Sequence, residues 1–213
     1  MRRPTVLLAD DHEIVLEGLH RVLEPEFEIV GSVHDGAALV KAAEKLRPDL
    51  VVADVTMPML NGIEATRKIK KSLPRTTVVI LTMHPDVMYA TEALDAGAKG
   101  YVLKDAIRSE LLDALKNALK GEIYVSEKIA PQVMQALAEG AYRHKSATVK
   151  LTARQREVLQ LVAEGHTISD MARILYVSRR TVEFHKYNIM QALGLRSTAE
   201  LTQYAIKHGI VAV

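Results

Sequence analysis

Five short apolar runs constrain this chain more than any other feature. They are Val6-Leu7-Leu8-Ala9, Glu28-Ile29-Val30, Leu50-Val51-Val52-Ala53, Val78-Val79-Ile80-Leu81 and Tyr101-Val102-Leu103. Each is continuous rather than alternating and rich in β-branched residues, as strands buried on both faces are. Between them, apolar residues recur at helical spacing. Val15, Leu19, Val22 and Leu23 form one stripe, and Leu39, Ala42, Ala43 and Leu46 another, closed by Pro48. Ile63, Thr66, Ile69 and Lys70 follow, then Ala90, Ala93 and Leu94, then Leu111, Leu112, Leu115 and Leu119. Strict alternation of strand and helix predicts an α/β fold: a doubly wound, five-stranded parallel sheet. Gly97 and Gly121 stand where helices should stop.

Function in such sheets collects at the carboxyl ends of the strands. The first run ends in Asp10-Asp11, the third in Asp54, the fourth in Thr82 and the fifth in Lys104. Any one of these could be only a strand terminator or a helix cap. Together they place three carboxylates, a hydroxyl and an ammonium on one edge. Clustered carboxylates repel unless a cation offsets them, and Mg²⁺ accepts carboxylate, water and phosphate oxygens. The set suits phosphoryl transfer to a carboxylate, with Asp54 as acceptor and Asp10 and Asp11 holding the metal. Lys104 and Thr82 would each meet a phosphoryl oxygen.

Composition narrows the field. The chain has no cysteine, which excludes a disulfide framework, a thiol nucleophile and Cys-ligated metal centres. Hydrophobic residues are 48% and charged residues 25% of the chain. That balance is the one expected of a globular protein. No apolar run reaches the ~18–20 residues that a membrane span requires. No segment has the pattern of a secretory signal, so a cytoplasmic protein without a membrane partner is expected. Formal net charge is only +2, but it is unevenly placed. Residues 148–213 carry nine Lys/Arg against five Asp/Glu. A basic excess of that kind suits a polyanion.

Asp10-Asp11, Asp54 followed by Met57-Pro58 and Asn61-Gly62, then Thr82, Tyr101 and Lys104 resemble the receiver domain of bacterial two-component response regulators. The resemblance covers residues 3–120 and implies a flavodoxin-like fold. It implies phosphorylation of Asp54 by a sensor histidine kinase. It also implies Mg²⁺ held by Asp11, Asp54 and the backbone carbonyl of Thr56, with Asp10 acting through water. Thr82 and Tyr101 would be the switch pair. Asp105 stands after Lys104 where many receivers have proline, and bulky Met83 follows Thr82. Met83, with Thr56 and His84, is expected to limit water access to a phosphoryl group.

Residues 121–148 read as a linker, with a possible short helix over 129–137 and a polar, small-residue boundary from Gly140 to Thr148. Beyond it, residues 149–213 are all-α. Four helices are expected near 153–164, 168–175, 179–193 and 198–208, with capping-box patterns at Thr152-Ala153-Arg154-Gln155 and Ser197-Thr198-Ala199-Glu200. The second and third helices, joined by Tyr176-Val177-Ser178, match a helix-turn-helix. On the third, Val182, Ile189 and Leu193 share a core face. Arg180, Phe184, Tyr187 and Gln191 share the opposite one. Two of the chain's nine aromatics would thus turn away from the core, as a contact surface or against the fourth helix or the linker. In a major groove, Arg180 could reach phosphate or guanine, Glu183 cytosine and Phe184 a thymine methyl.

Leu151-Thr152, Arg156-Glu157-Val158-Leu159, Val162-Ala163-Glu164-Gly165, Thr181-Val182-Glu183-Phe184-His185 and Leu193-Gly194-Leu195 resemble the LuxR-type DNA-binding domain. With the receiver, they resemble the NarL/FixJ family. The resemblance implies base-facing positions for Glu183, Phe184 and Tyr187, and phosphate contacts from Thr181, Lys186 and Asn188; Arg179 and Arg180 complete the DNA-binding set. Ala192 stands where the family often has lysine. The expectation is a non-enzymatic transcription factor whose phosphorylation controls homodimerisation on a double-stranded, inverted-repeat DNA site. One alternative is a regulator whose receiver is only a dimerisation module and is never phosphorylated. An aspartyl-phosphate phosphatase is disfavoured, because Thr56 stands where its general acid would be.

Overall fold

A computed structural model describes residues 2–138, 151–208 and 210–211. The boundary expected from Gly140 to Thr148 lies outside the described residues. The N-terminal unit alternates β1 (Thr5–Ala9), α1 (Glu13–Leu23), β2 (Glu28–Val33), α2 (Gly36–Leu46), β3 (Leu50–Ala53), α3 (Gly62–Ser72), β4 (Thr77–Thr82), α4 (Val87–Asp95), β5 (Gly100–Leu103) and α5 (Ile107–Leu119). A single 3₁₀ turn, Lys104–Ala106, leads into α5. All strand pairs are parallel, in the order β2-β1-β3-β4-β5, with a sixth strand, β6 (Tyr124–Val125), added beside β5.

The runs in β1, β3, β4 and β5 are buried on both faces, as their composition demands, whereas the edge strand β2 is only partly buried. On one face Leu7, Val51 and Ile80 pack with Leu39 and Ala43 of α2, Ile63 and Ile69 of α3, and Ala90 and Ala93 of α4. On the other, Leu8, Val52 and Leu81 pack with Leu16, Leu19 and Leu23 of α1 and Leu111 and Leu115 of α5. The strand order reverses between β1 and β3, so Asp10, Asp11 and Asp54 open onto the crevice at the switch point.

The sheet has one strand more than the five that the sequence suggests. The extra strand comes from the segment read as linker. Ser126 explains its anchoring: its hydroxyl accepts from Leu103 N–H at 3.0 Å and donates to Glu110, and its N–H donates to the Tyr101 carbonyl at 2.9 Å. A sixth helix, α6 (Ala130–Ala138), then packs Val133 beside α4, with Ile129 just before it. Residues 124–138 thus build on the receiver's core.

The C-terminal unit is α7 (Ala153–Ala163), α8 (Ile168–Ile174), α9 (Arg179–Leu193) and α10 (Thr198–Lys207). Its core joins Val158, Leu161, Met171, Val182, Ile189 and Leu201. Thr152 and Gln155 form the full reciprocal capping box of α7. At α10, Ser197 caps Glu200 N–H, but the Glu200 carboxylate accepts from Arg196 N–H and the Ser197 hydroxyl rather than from the Ser197 backbone N–H. Gly194 ends α9 in the left-handed region at φ 67°. A side chain there would be strained.

Candidate functional site

β1, β3, β4 and β5 each stop where a polar residue begins, so the sheet itself brings the site together. Asp10 is 1% exposed and Asp54 6%, while Asp11 remains open to solvent. The Lys104 ammonium, its side chain 7% exposed, stands 2.7 Å from both Asp10 Oδ2 and Asp54 Oδ2. It donates a hydrogen bond to Asp54. Asp10 Oδ2 is buried against its ion pair with Lys104.

Burial pushes the Asp54 carboxyl above its ordinary range, with the Lys104 charge opposing it. Burial works against the Lys104 ammonium too, but Asp54 and Asp10 outweigh it and hold the amine charged. Oxygens of Asp10, Asp11 and Asp54 and a ring nitrogen of His12 all lie within 4.8 Å of one another. No motif in the sequence singles out His12. Its Nδ1 stands 2.8 Å from Asp11 Oδ1 and 3.2 Å from Asp10 Oδ1, and its place beside two aspartates is the one signal of this. The oxygen-rich donor set fits a hard divalent cation.

Thr82 and Tyr101 are both fully buried. Thr82 Oγ1 accepts from His84 N–H at 3.2 Å, and the Tyr101 hydroxyl donates to the His84 carbonyl at 2.8 Å. Burial pushes the Tyr101 phenol far up, so it stays a neutral donor. His84 thus joins the two residues expected to switch together. Its Nε2 also lies 3.1 Å from Thr56 Oγ1, which bridges the β3 and β4 loops. Met83 is 68% exposed, so the Thr56–His84 pair, not Met83, spans between the loops. The Lys104–Asp105 peptide is trans.

The helix-turn-helix presents its residues as follows. Arg179, Arg180 and Glu183 are exposed, and Phe184 and Tyr187 are each 61% exposed. The two aromatics therefore do not bury against the fourth helix; Phe184 only meets His185 edge-on at 5.8 Å. Thr181, Lys186 and Asn188 are half-buried. Lys186 Nζ donates to Thr198 Oγ1 at 2.8 Å, and Thr181 Oγ1 lies 2.8 Å from Ser178 Oγ. Val182 and Ile189 face the core, with Leu193 partly buried beside them.

Residues 6–116 match the response regulator receiver domain, and residues 149–205 match the luxR family of bacterial regulatory proteins. The oxygen regulatory protein NreC of Staphylococcus aureus is 36% identical over 209 residues, covering 95% of this chain and 96% of NreC. The transcriptional regulatory protein DegU of Brevibacillus brevis is 33% identical, covering 98% of this chain and 95% of DegU. The RcsB response regulator of Salmonella typhimurium superposes with a TM-score of 0.68 at 28% identity over the full length of both chains. RcsB of Salmonella enterica serovar Typhimurium, bound to promoter P1flhDC with the phosphomimetic BeF₃⁻, superposes at 0.65 with 30% identity, covering 95% of this chain and 98% of that one. No described helix is long and apolar enough to cross a membrane. A receiver followed by a LuxR-type helix-turn-helix, matched along nearly the whole chain, makes this protein a transcription-regulating response regulator of the NarL/FixJ family.

Proposed function

We propose that phosphorylation of Asp54 by a sensor histidine kinase switches this regulator between DNA-binding states, in the cytoplasm. The observation that carries the reading is the buried Lys104 ammonium between the buried carboxylates of Asp10 and Asp54. An Asp54 oxygen attacks the phosphorus of a phosphohistidine. An O–P bond forms, the N–P bond breaks, and the imidazole leaves with the electron pair and takes up a proton. Asp11, Asp54 and the Thr56 carbonyl, with Asp10 acting through water, would hold Mg²⁺, which when bound would neutralise the phosphoryl charge. Lys104 is placed to turn from the carboxylates to a phosphoryl oxygen, and the Thr82 hydroxyl to meet another. A shift of Thr82 pulls on His84, and through the His84 carbonyl on Tyr101.

The output is read by α9. Arg179, Arg180, Glu183, Phe184 and Tyr187 form an exposed face. That face suits a major groove, and two copies would read an inverted repeat. Lys186, Thr181 and Asn188 lie nearer the rim, as phosphate contacts would.

The test incubates wild type and Asp54→Ala with acetyl phosphate and excess Mg²⁺. Mass, oligomeric state and DNA affinity are then measured at one stated salt concentration. Wild type is expected to gain one phosphoryl group, to shift toward dimer and to bind DNA more tightly, and the variant to do none of these. A wild type that takes up no label overturns the proposal. An Asp54→Ala variant that regulates normally would favour a receiver acting only as a dimerisation module.

A further inference from the structure

His12 opens α1 but does not cap it. It stands just before Glu13, where Ser, Thr, Asp or Asn usually supplies a side-chain oxygen to the first turn. The His12 backbone is extended, at φ −99° and ψ 110°, and its side chain makes no capping hydrogen bond. The ring turns instead toward the acidic end of β1. Its Nδ1 stands 2.8 Å from Asp11 Oδ1 and 3.2 Å from Asp10 Oδ1. The His12 N–H also donates to Asp10 Oδ1, at 3.0 Å, which ties the residue's backbone to the same carboxylate. The His12 side chain is 63% exposed, so burial does not account for its orientation.

The spacing of the group suits a shared ion. A His12 ring nitrogen and one oxygen each from Asp10, Asp11 and Asp54 lie within 4.8 Å of one another. A six-coordinate divalent ion with bonds of about 2.1 Å holds neighbouring donors ~3 Å apart and opposite donors ~4 Å apart. The 2.8 and 3.2 Å separations of Nδ1 from the two aspartate oxygens are those of neighbouring donors. They also suit simple hydrogen bonding from the ring to the carboxylates, and the two readings differ in whether the nitrogen touches the ion. The chemistry differs as well. Carboxylate, carbonyl and water oxygens suit Mg²⁺, whereas imidazole favours first-row transition ions. The other histidine near these loops, His84, has its Nε2 against Thr56 Oγ1 and lies outside the group.

We propose that His12 is a metal-ligating residue of this site, its Nδ1 adding a nitrogen donor that shifts the site's preference from Mg²⁺ toward divalent transition ions. This rests on the reading of the acidic cluster as a cation site. Mg²⁺ gives up its water reluctantly and gains little from one imidazole. A borderline ion such as Co²⁺ gains a bond from the nitrogen while keeping the same carboxylates. The identity of the ion beside Asp54 is then set by the residue that opens α1 as well as by the strand ends. Replacing His12 should therefore separate two affinities that an all-oxygen site would lose or keep together.

The test uses full-length wild type, His12→Ala, His12→Gln and Asp11→Ala. Mg²⁺ and Co²⁺ affinities are measured by calorimetry, and proton spectra of the Co²⁺ form are searched for hyperfine-shifted imidazole resonances. Wild type is expected to show one such set, absent from His12→Ala. Its ratio of Co²⁺ to Mg²⁺ affinity should exceed that of His12→Ala by at least about tenfold. His12→Gln offers no ring nitrogen, so it should keep Mg²⁺ affinity and still lose the ratio. Asp11→Ala should lose both ions. Co²⁺ bound without shifted ring resonances overturns the ligand assignment, as does a ratio unchanged by either His12 substitution. Shifted resonances retained in His12→Ala or in Asp11→Ala would place the nitrogen or the ion elsewhere and overturn it too. A wild type that binds neither ion instead defeats the reading of the cluster as a cation site, and the inference falls with it.

Discussion

Thr5 and Asp49 join the amino-terminal ends of β1 and β3 through three hydrogen bonds. Asp49 Oδ2 accepts from Thr5 N–H at 2.8 Å and from the Thr5 hydroxyl at 2.9 Å, and Thr5 Oγ1 accepts from Asp49 N–H at 2.9 Å. The hydrogen bond from the Thr5 backbone holds the Asp49 carboxyl below its ordinary value, over the opposition of partial burial. A carboxyl depressed in the folded state stabilises the fold above its unfolded pKa of 3.8 and loses that contribution as pH falls through the lower folded value. Because Asp49 is exposed, the contribution is discounted to about 1 kcal/mol. Asp49→Asn should therefore lower urea-unfolding stability by about that much at pH 7. The difference should shrink below pH 3.8 and vanish once the wild-type carboxyl is protonated. Equal differences at pH 7 and at strongly acidic pH would refute the assignment. Nothing in the sequence distinguished Asp49 from any aspartate before a strand. Asp54 was legible because it shared its place, at a strand's carboxyl end, with Asp10, Thr82 and Lys104, and four polar ends on one edge form a pattern that a single residue does not.

The start of α3 is pressed against the end of β3 more closely than any side chain would allow. A Cβ on Gly62 would lie 1.9 Å from the Asp54 carbonyl oxygen, and one on Gly36 would lie 1.8 Å from that of Leu60. Both contacts are with backbone, so neither can be relieved by a rotamer change. Gly18, in the middle of α1, meets nothing within 4 Å. Helix propensity alone favours alanine over glycine by roughly 0.5–1 kcal/mol. Gly18→Ala should accordingly stabilise the receiver by about that amount in thermal or urea unfolding. Gly62→Ala should destabilise it by ~3 kcal/mol or more despite the same propensity gain. A neutral Gly62→Ala would mean that the loop tolerates a shift the close packing denies. The helices themselves were legible from their stripes and caps; α9, from Arg179 to Leu193, matches its expected span. The two-residue β6 was not, because a strand of that length shows no periodicity and is fixed by the side chain of Ser126.

Across the whole molecule, the least legible feature was the contact between domains. Val158, Leu161 and Val162 lie in the core of their own domain, at the spacing one helix face allows. Helical period has no means of marking Gln160, a polar residue buried by a neighbour distant in sequence. Glu64 and Arg156 are hidden for the same reason. The consequence for output is specific. Gln160 and Glu164 of α7 hydrogen-bond to Met57, Met59 and Asn61 of the receiver, whereas Arg179, Arg180, Phe184 and Tyr187 on α9 stay exposed, so the chain keeps an open basic face. Unmodified protein should then bind duplex DNA weakly, with an affinity set by phosphate neutralisation and falling steeply with salt. Arg179→Ala, if it removes one phosphate contact, should weaken binding about equally on all sequences and reduce the slope of log affinity against log salt by ~1. Phe184→Ala should leave that slope unchanged and reduce only the preference for a specific site, because a thymine methyl contact carries no counterion release. Titrations of both variants on specific and random duplexes at several salt concentrations separate the two effects. A Phe184→Ala variant that loses affinity equally on both duplexes would move the base-reading face away from Phe184. Salt-independent binding by the unmodified chain would mean that the open face is not the one that meets DNA.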